Sequence, residues 1–219
     1  MKSRDLLDLI EGGETLSCEF KRKFSTQEKI AREMMAFANT KGGYLIIGVD
    51  DDKKIVGVES EKTESELILD VAKNYCEPPL NVQIDYVEIK GKEVVVVEVP
   101  ESTKKPHRLQ DYLNELDINS SIVTIRVNDK SVQASKEMIR ILKAQSTQMQ
   151  LKKYSIGTNE KVVFEYLDKN EKISVKELSS FTNISERRAS RTLVKLVRAN
   201  LLFVHTKDNG DEFFTSAQL

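Results

Sequence analysis

The chain has 219 residues, of which 39% are hydrophobic and 32% charged, and its formal net charge is −1. This length allows one large domain or two modest ones. The near-neutral charge excludes a bulk attraction to nucleic acid, so any such binding must come from a local basic patch. The chain holds only two cysteines and two histidines, which provide neither a disulfide framework nor the ligand spacing of a structural zinc site.

Acidic residues interrupt the apolar ones in the N-terminal segment Met1–Ile10. The acids interrupt the continuous apolar segment that a signal peptide needs. No other run approaches the roughly 20 apolar residues that span a bilayer. We therefore expect a cytoplasmic protein without a membrane partner.

The hydrophobic pattern of the first two thirds predicts a mixture of helices and strands. In chain order, it predicts a helix at 3–11, a strand at 17–24, a helix from 25 to about 39, a hairpin of strands 44–49 and 54–58, a helix at 64–75, strands at 82–89, 93–99 and 122–127, and a helix from 135 to about 143. The spacing of Ser25 and Glu28 predicts a capping box for the second helix. The β-branched run Glu93–Val99 is typical of a central strand.

The last third of the chain has a different composition and hydrophobic pattern. Residues 144–154 are polar and lack a full apolar face, which is typical of a linker. A helix then follows at 159–170, and Ser174 and Ser185 are predicted caps of a short helix and a longer one. Asn209-Gly210 is a strong hairpin signal. This order of elements predicts a winged helix-turn-helix.

The longer of these helices concentrates positive charge. Its cations are Arg187, Arg188, Arg191, Lys195 and Arg198, and its single acid is Glu186. The second helix of a helix-turn-helix enters the major groove of DNA with its N-terminal residues. The pattern therefore favours nucleic-acid binding, with a solvated face on a protein–protein interaction module as the alternative.

A second candidate site lies near the N-terminus. As a strand, residues 17–24 place Glu19, Lys21 and Lys23 on one face. Asp50 follows an apolar strand, a position where functional side chains often lie, and Glu14 precedes the first strand. These groups are candidates for a metal-and-phosphate site, or they are solvated charges of a charge-rich domain.

Residues 1–143 resemble the Schlafen-type, AlbA-like family of DNA-binding domains. The matching residues are Gly13-Glu14 with Glu19-Phe20-Lys21, the run Ala36–Tyr44 with Gly48–Asp51, and Val56-Gly57, with weaker matches at Val99-Pro100, Lys105-Pro106 and Ile125–Val127. The family is in places also called a divergent ATPase or ATP-binding domain. The sequence lacks a glycine-rich loop ending in Gly-Lys-Ser or Gly-Lys-Thr, so we set that description aside.

The resemblance implies a mixed α/β domain that binds nucleic acid. Some Schlafen relatives cleave tRNA or rRNA with an acidic triad, which here corresponds to Glu14, Glu19 and Asp50, with Lys21 beside it. Such carboxylates suit Mg²⁺ or Mn²⁺. The nucleases of the family build their groove from two lobes, so one lobe per chain implies a homodimer.

Together, the patterns predict an α/β Schlafen-type domain at 1–143, a linker at 144–156 and a winged helix-turn-helix at 157–219. The expected function is a DNA-binding transcriptional regulator, with RNA as another possible ligand. A metal-dependent endoribonuclease and a protein–protein interaction module are the alternatives. Besides the helix cations, the candidate nucleic-acid-binding residues are Lys21, Lys23, Lys41 and Arg126.

Overall fold

A computed structural model describes residues 1–146 and 156–217. The chain divides into two compact units, Met1–Gln133 and Ala134–Leu219. In the first unit the helices are α1 (Ser3–Gly12), α2 (Gln27–Asn39) and α3 (Glu61–Asn74). Its strands are β1 (Cys18–Lys21), β2 (Gly43–Ile47), β3 (Cys76–Glu77), β4 (Gln83–Ile89), β5 (Lys92–Val99), β6 (Arg108–Leu109), β7 (Thr124–Val127) and β8 (Lys130–Gln133).

The main sheet of the first unit has the strand order β1-β2-β5-β4. The β1–β2 pair is parallel, and the other two pairs are antiparallel. Both faces of this sheet are covered by apolar side chains. Val95 and Val97 belong to the cluster formed with α2 and α3, whereas Val94 and Val96 belong to the cluster formed with α1. Burial on both faces explains the nearly continuous valine run, and the prediction of a central strand is confirmed.

The predicted hairpin of strands 44–49 and 54–58 is wrong. β2 lies between β1 and β5, and residues 54–58 form no strand, since only an isolated bridge joins Val49 to Ile55. The longer β5 takes the edge of β2 that the hairpin required. The predicted Ser25 cap is also wrong by one residue, because the N-cap of α2 is Thr26, whose side chain accepts a hydrogen bond from the Lys29 N–H.

The second unit is helical and ends in a hairpin. Its elements are α4 (Lys136–Ser146), α5 (Thr158–Leu167), α6 (Val175–Thr182), α7 (Glu186–Arg198), β9 (Leu202–Thr206) and β10 (Glu212–Ser216). The predicted caps are confirmed, since the Ser174 side chain accepts from the Glu177 N–H and that of Ser185 from the Arg188 N–H. The hairpin around Asn209-Gly210 is also confirmed. The order of elements agrees with the sequence pattern, and the winged-helix assignment itself stays a prediction.

The core of the second unit forms where α5, α6 and α7 meet the hairpin. Leu178, Leu193, Leu196 and Phe214 are buried there. α4 groups with this unit, because the boundary falls after Gln133 instead of after residue 143. The central part of the predicted linker, residues 147–155, lies outside the described residues. In the part of the chain that is described, no helix is both long enough and apolar enough to cross a membrane.

Candidate nucleic-acid interface

Arg126 is the most heavily engaged charged side chain among the N-terminal candidates. Its guanidinium, on β7, is fully buried and donates from Nη1 to Glu19 Oε2 at 3.0 Å and to Glu33 Oε2 at 3.2 Å. Nη2 donates to the Thr15 carbonyl at 2.6 Å, and the guanidinium carbon lies 4.8 Å from the centre of the Phe37 ring. A buried guanidinium with two carboxylate partners is a structural ion pair. The prediction that Arg126 binds nucleic acid is therefore wrong, because a phosphate outside the protein cannot reach it.

Glu33 is a partner of Arg126 that the sequence analysis did not single out. Burial raises the pKa of Glu33, the Glu19 carboxylate raises it further, and a hydrogen bond from the Ser131 hydroxyl lowers it. Its position in the amphipathic pattern of α2 gave no signal, since an acidic residue on a helix is most often solvated. Only the tertiary pairing of α2 with β7 and β8 shows that this carboxylate balances a buried cation.

Glu14 and Glu19 lie close together, but each already has hydrogen-bond partners. Glu14 Oε1 accepts a hydrogen bond from the Phe20 N–H at 3.0 Å. Burial raises the pKa of Glu14, the Phe20 N–H lowers it, and the nearby Glu19 carboxylate raises it. Glu19 Oε1 accepts from Lys21 Nζ, while its other oxygen accepts from the buried guanidinium. Glu19 is itself only 7% exposed, so the alternative that it is a solvated surface charge does not hold.

Asp50, the third member of the predicted acidic triad, stabilises the turn that follows β2. Its Oδ1 accepts a hydrogen bond from the Lys54 N–H at 2.8 Å, which closes the loop after β2. In the described residues, no group of three or more His, Cys, Asp or Glu side chains is arranged to hold a metal ion. Glu14, Glu19 and Asp50 thus do not fit a shared Mg²⁺ or Mn²⁺ site in this arrangement, and no catalytic step is assigned to them or to Lys21.

The segment from Asn39 to Gly43 connects distant parts of the first unit. The buried Asn39 amide donates to the carbonyls of His107 and Thr124 at 2.8 and 2.9 Å, and its Oδ1 accepts from the His107 N–H at 2.7 Å. The Thr40 carbonyl accepts from Lys105 Nζ at 2.9 Å. At Gly43 an added Cβ would lie 2.5 Å from the Phe37 ring, so this glycine permits a close approach.

The three candidate lysines of the first unit differ in their exposure to solvent. Lys21 is about a quarter exposed and is paired with Glu19. Lys23 is exposed, and Lys41 is exposed with its Nζ 3.9 Å from Glu101 Oε2. Lys23 and Lys41 therefore stay predicted contacts for a polyanion, and Lys41 shares the Glu101 carboxylate with Lys105.

α7 carries the cations that are best presented to solvent. Arg187, Arg188 and Arg191 are exposed, and within the described part of the chain none of them forms an ion pair. Lys195 and Arg198 are half-buried, and Lys195 Nζ lies 3.7 Å from Glu160 Oε1. The opposite face of α7 packs into the core of the second unit through Ala189, Leu193 and Leu196. This packing fixes the orientation of the helix in its unit. The sequence analysis singled out these arginines by their clustering on one helix, and their contact with nucleic acid stays a prediction.

Comparisons with known proteins agree with the fold of the first unit. The family model described as Schlafen, AlbA_2 matches residues 14–135. An uncharacterized ATP-binding protein from Ureaplasma parvum is 31% identical over 87 residues, which cover 37% of this chain and 24% of that protein. The chain thus spans about a quarter of the length of that relative.

Two solved structures have weaker similarity. The N-terminal domain of a Nitrosomonas europaea protein, named for its relation to the ATP-dependent DNA helicase RecG, is 26% identical with a TM-score of 0.44, covering 53% of this chain and 84% of that one. A Corynebacterium diphtheriae protein is 16% identical with a TM-score of 0.42, covering 92% of this chain and 34% of that one. Since the family model spans more than half of the residues, the chain belongs to the Schlafen, AlbA_2 family.

Proposed function

We propose that this protein binds nucleic acid through α7, and that it acts as a DNA-binding transcriptional regulator. The observation that carries the proposal is the set of three exposed arginines, Arg187, Arg188 and Arg191, in the first half of that helix. They lie on a helix that packs against the core of the second unit. Membership of the Schlafen, AlbA_2 family also associates the chain with nucleic-acid binding.

The position of these arginines agrees with the chemistry of DNA recognition. The N-terminal residues of a recognition helix meet base edges and phosphates in the major groove. A guanidinium is suited to both, since its planar fork of donors matches a phosphate or the O6 and N7 atoms of guanine. Because the net charge of the chain is −1, attraction to DNA must arise from such a local surface.

A homodimer would give this surface its specificity. Helix-turn-helix proteins read paired half-sites as two-fold dimers, and a second copy would supply a second α7. Sequence-specific regulation of transcription and the homodimer rest on this geometric expectation together with the arrangement of α6 and α7. Sedimentation of the full chain at micromolar concentration tests the dimer, because a species of 24.9 kDa alone would contradict it.

The test of the main proposal is a salt titration of duplex binding by fluorescence anisotropy. The variant R187A/R191A should bind a labelled DNA duplex about tenfold or more weakly, and the slope of log K against log salt should fall by about 2. The matched control is K62A/K73A, which removes two exposed lysines from α3 and the same net charge.

Equal losses in the two double variants would show a general charge effect and contradict the role of α7. If the wild-type chain binds neither duplex nor single-stranded nucleic acid, the proposal fails, and the interaction-module alternative accounts for the second unit. Circular dichroism of each variant verifies that the helices are intact.

A further inference from the structure

Two cavities border the exposed edge of α7. The first has a volume of about 300 Å³ and lies between α7 and the start of α5. The second has a volume of about 430 Å³ and lies between α7 and α4. Arg191 and Lys195 line both, so the two cavities form neighbouring parts of one surface along the helix.

The cavity beside α4 is strongly basic. Its described lining residues include five cations and no carboxylate, and they are Arg140, Lys143, Ala144, Arg191, Val194, Lys195 and Arg198. Three of the cations come from α7, namely the exposed Arg191 and the half-buried Lys195 and Arg198, and two come from α4. The excess of cations over carboxylates in this lining gives the cavity a positive potential, which is suited to a polyanion.

The cavity beside α5 is basic to a smaller degree. Arg188, Arg191 and Lys195 line it together with one carboxylate, Glu160. Glu160 Oε2 accepts a hydrogen bond from the Gly157 N–H at 3.1 Å, and its Oε1 lies 3.7 Å from Lys195 Nζ. Glu160 thus accepts a hydrogen bond from a backbone N–H group at the start of α5. Arg188 and Arg191 supply the positive charge for an incoming ligand.

α4 is held against α7 by a small polar network. The Ser190 hydroxyl donates to Glu137 Oε1, and Arg140 Nη1 donates to Ser190 Oγ at 3.1 Å and to Glu137 Oε1 at 3.2 Å. Ser190 is almost fully buried. The contacts fix Arg140, and with it the turn that carries Lys143, at a defined position beside α7.

We propose that the two cavities bind the two sugar–phosphate backbones that border the major groove of a B-form duplex, and that Arg140 and Lys143 of α4 contact one of these backbones. This inference rests on the proposed function of α7 and names its ligand class. A helix in the major groove has a phosphate strand on each side, and the protein presents cations on both sides of the same helix.

The geometry favours a DNA duplex over other nucleic acids. The major groove of B-DNA is about 12 Å wide and admits an α-helix, whereas that of A-form RNA is narrow and deep. A single strand offers one backbone, so it can fill only one of the two cavities at a time. An RNA duplex and a single strand should therefore bind more weakly than the DNA duplex.

The experiment compares the full chain with K143Q, R140Q and the control K136Q, which removes an exposed lysine of α4 that does not line the cavity. The probes are a 20-base-pair DNA duplex, one of its strands, and an RNA duplex of the same sequence. K143Q and R140Q should each bind the DNA duplex about three- to tenfold more weakly and lower its salt slope by about 1, while K136Q matches the wild type.

The outcomes separate this inference from the function on which it rests. Unchanged duplex binding by K143Q and R140Q, together with a loss in R187A/R191A, would overturn the role of α4 and leave α7 as the binding helix. Equal losses on the duplex and on the single strand would overturn the two-backbone geometry. If R140Q unfolds because its Ser190 contacts are lost, K143Q decides, since the Lys143 side chain is exposed.

Discussion

Glu212 on β10 should make the stability of the second unit depend on pH in an unusual direction. Among the described residues, neither of its carboxylate oxygens has a hydrogen-bond partner of standard geometry, and both oxygens are buried. Burial raises the pKa of Glu212 from 4.5 to about 7; the nearby Ser135 hydroxyl lowers it, and the Glu137 carboxylate raises it. The folded unit therefore disfavours the ionised form of this carboxyl group.

The sign of the effect follows from proton linkage. Below about pH 4.5 the group is protonated in both the folded and the unfolded chain, and burial of its charge costs nothing. As the pH rises toward 7, the unfolded state ionises first, so the free energy of unfolding falls. Above pH 7 the group is ionised in both states, and the loss in the free energy of unfolding no longer increases. At about 1.4 kcal/mol per pKa unit, this loss reaches roughly 3 kcal/mol.

The variant E212Q removes this titration while it keeps the shape of the side chain. We expect its thermal transition to match the wild type near pH 4.5 and to exceed it by an increasing margin up to pH 8, as measured by scanning calorimetry of the full chain. The control E165Q, at an exposed position of α5, should follow the wild type throughout. Parallel pH profiles for E212Q and wild type would refute the reasoning, because they would show that Glu212 ionises freely in the folded protein.

Three further outcomes follow from the first unit. R126M should lower the free energy of unfolding by about 3–5 kcal/mol in urea titrations, because two carboxylates lose their buried partner; a change under 1 kcal/mol would count against the structural role of this ion pair. G43A should cost about 1–3 kcal/mol by the same assay, since its Cβ would lie 2.5 Å from the Phe37 ring, whereas G12A has open space around its Cβ and should be nearly neutral. Calorimetry with Mn²⁺ should give no heat that depends on Glu19, because Arg126 and a lysine already engage that carboxylate. A stoichiometric heat that disappears in E19A would instead restore the metal-dependent nuclease alternative.

Local signals in the sequence were sufficient for much of the second unit. Ser174 and Ser185 are followed by apolar residues at helical spacing, and Asn209-Gly210 permits the tight turn of the hairpin. Each of these features depends on only a few neighbouring residues, so it can be predicted without knowledge of the tertiary fold. The arginines of α7 were also singled out by a local signal, because five cations and one acid fall within this predicted helix.

The features that the sequence did not reveal depend on contacts between distant residues. Arg126 and Glu19 are 107 positions apart, so nothing local indicated that a strand arginine would be buried against a strand carboxylate. The placement of α4 was missed because the polar composition after residue 143 drew the predicted boundary there. Its contacts with Ser190, 50 and 53 positions away, place α4 in the second unit instead.

The most direct test of the central claim maps which residues meet DNA. In an amide-correlation NMR titration of the full chain with a 20-base-pair duplex, we predict the largest shift changes at Arg187, Arg188 and Arg191, followed by Lys143. Changes confined to residues 1–133, with α7 unaffected at saturation, would contradict the account and assign nucleic-acid binding to the first unit.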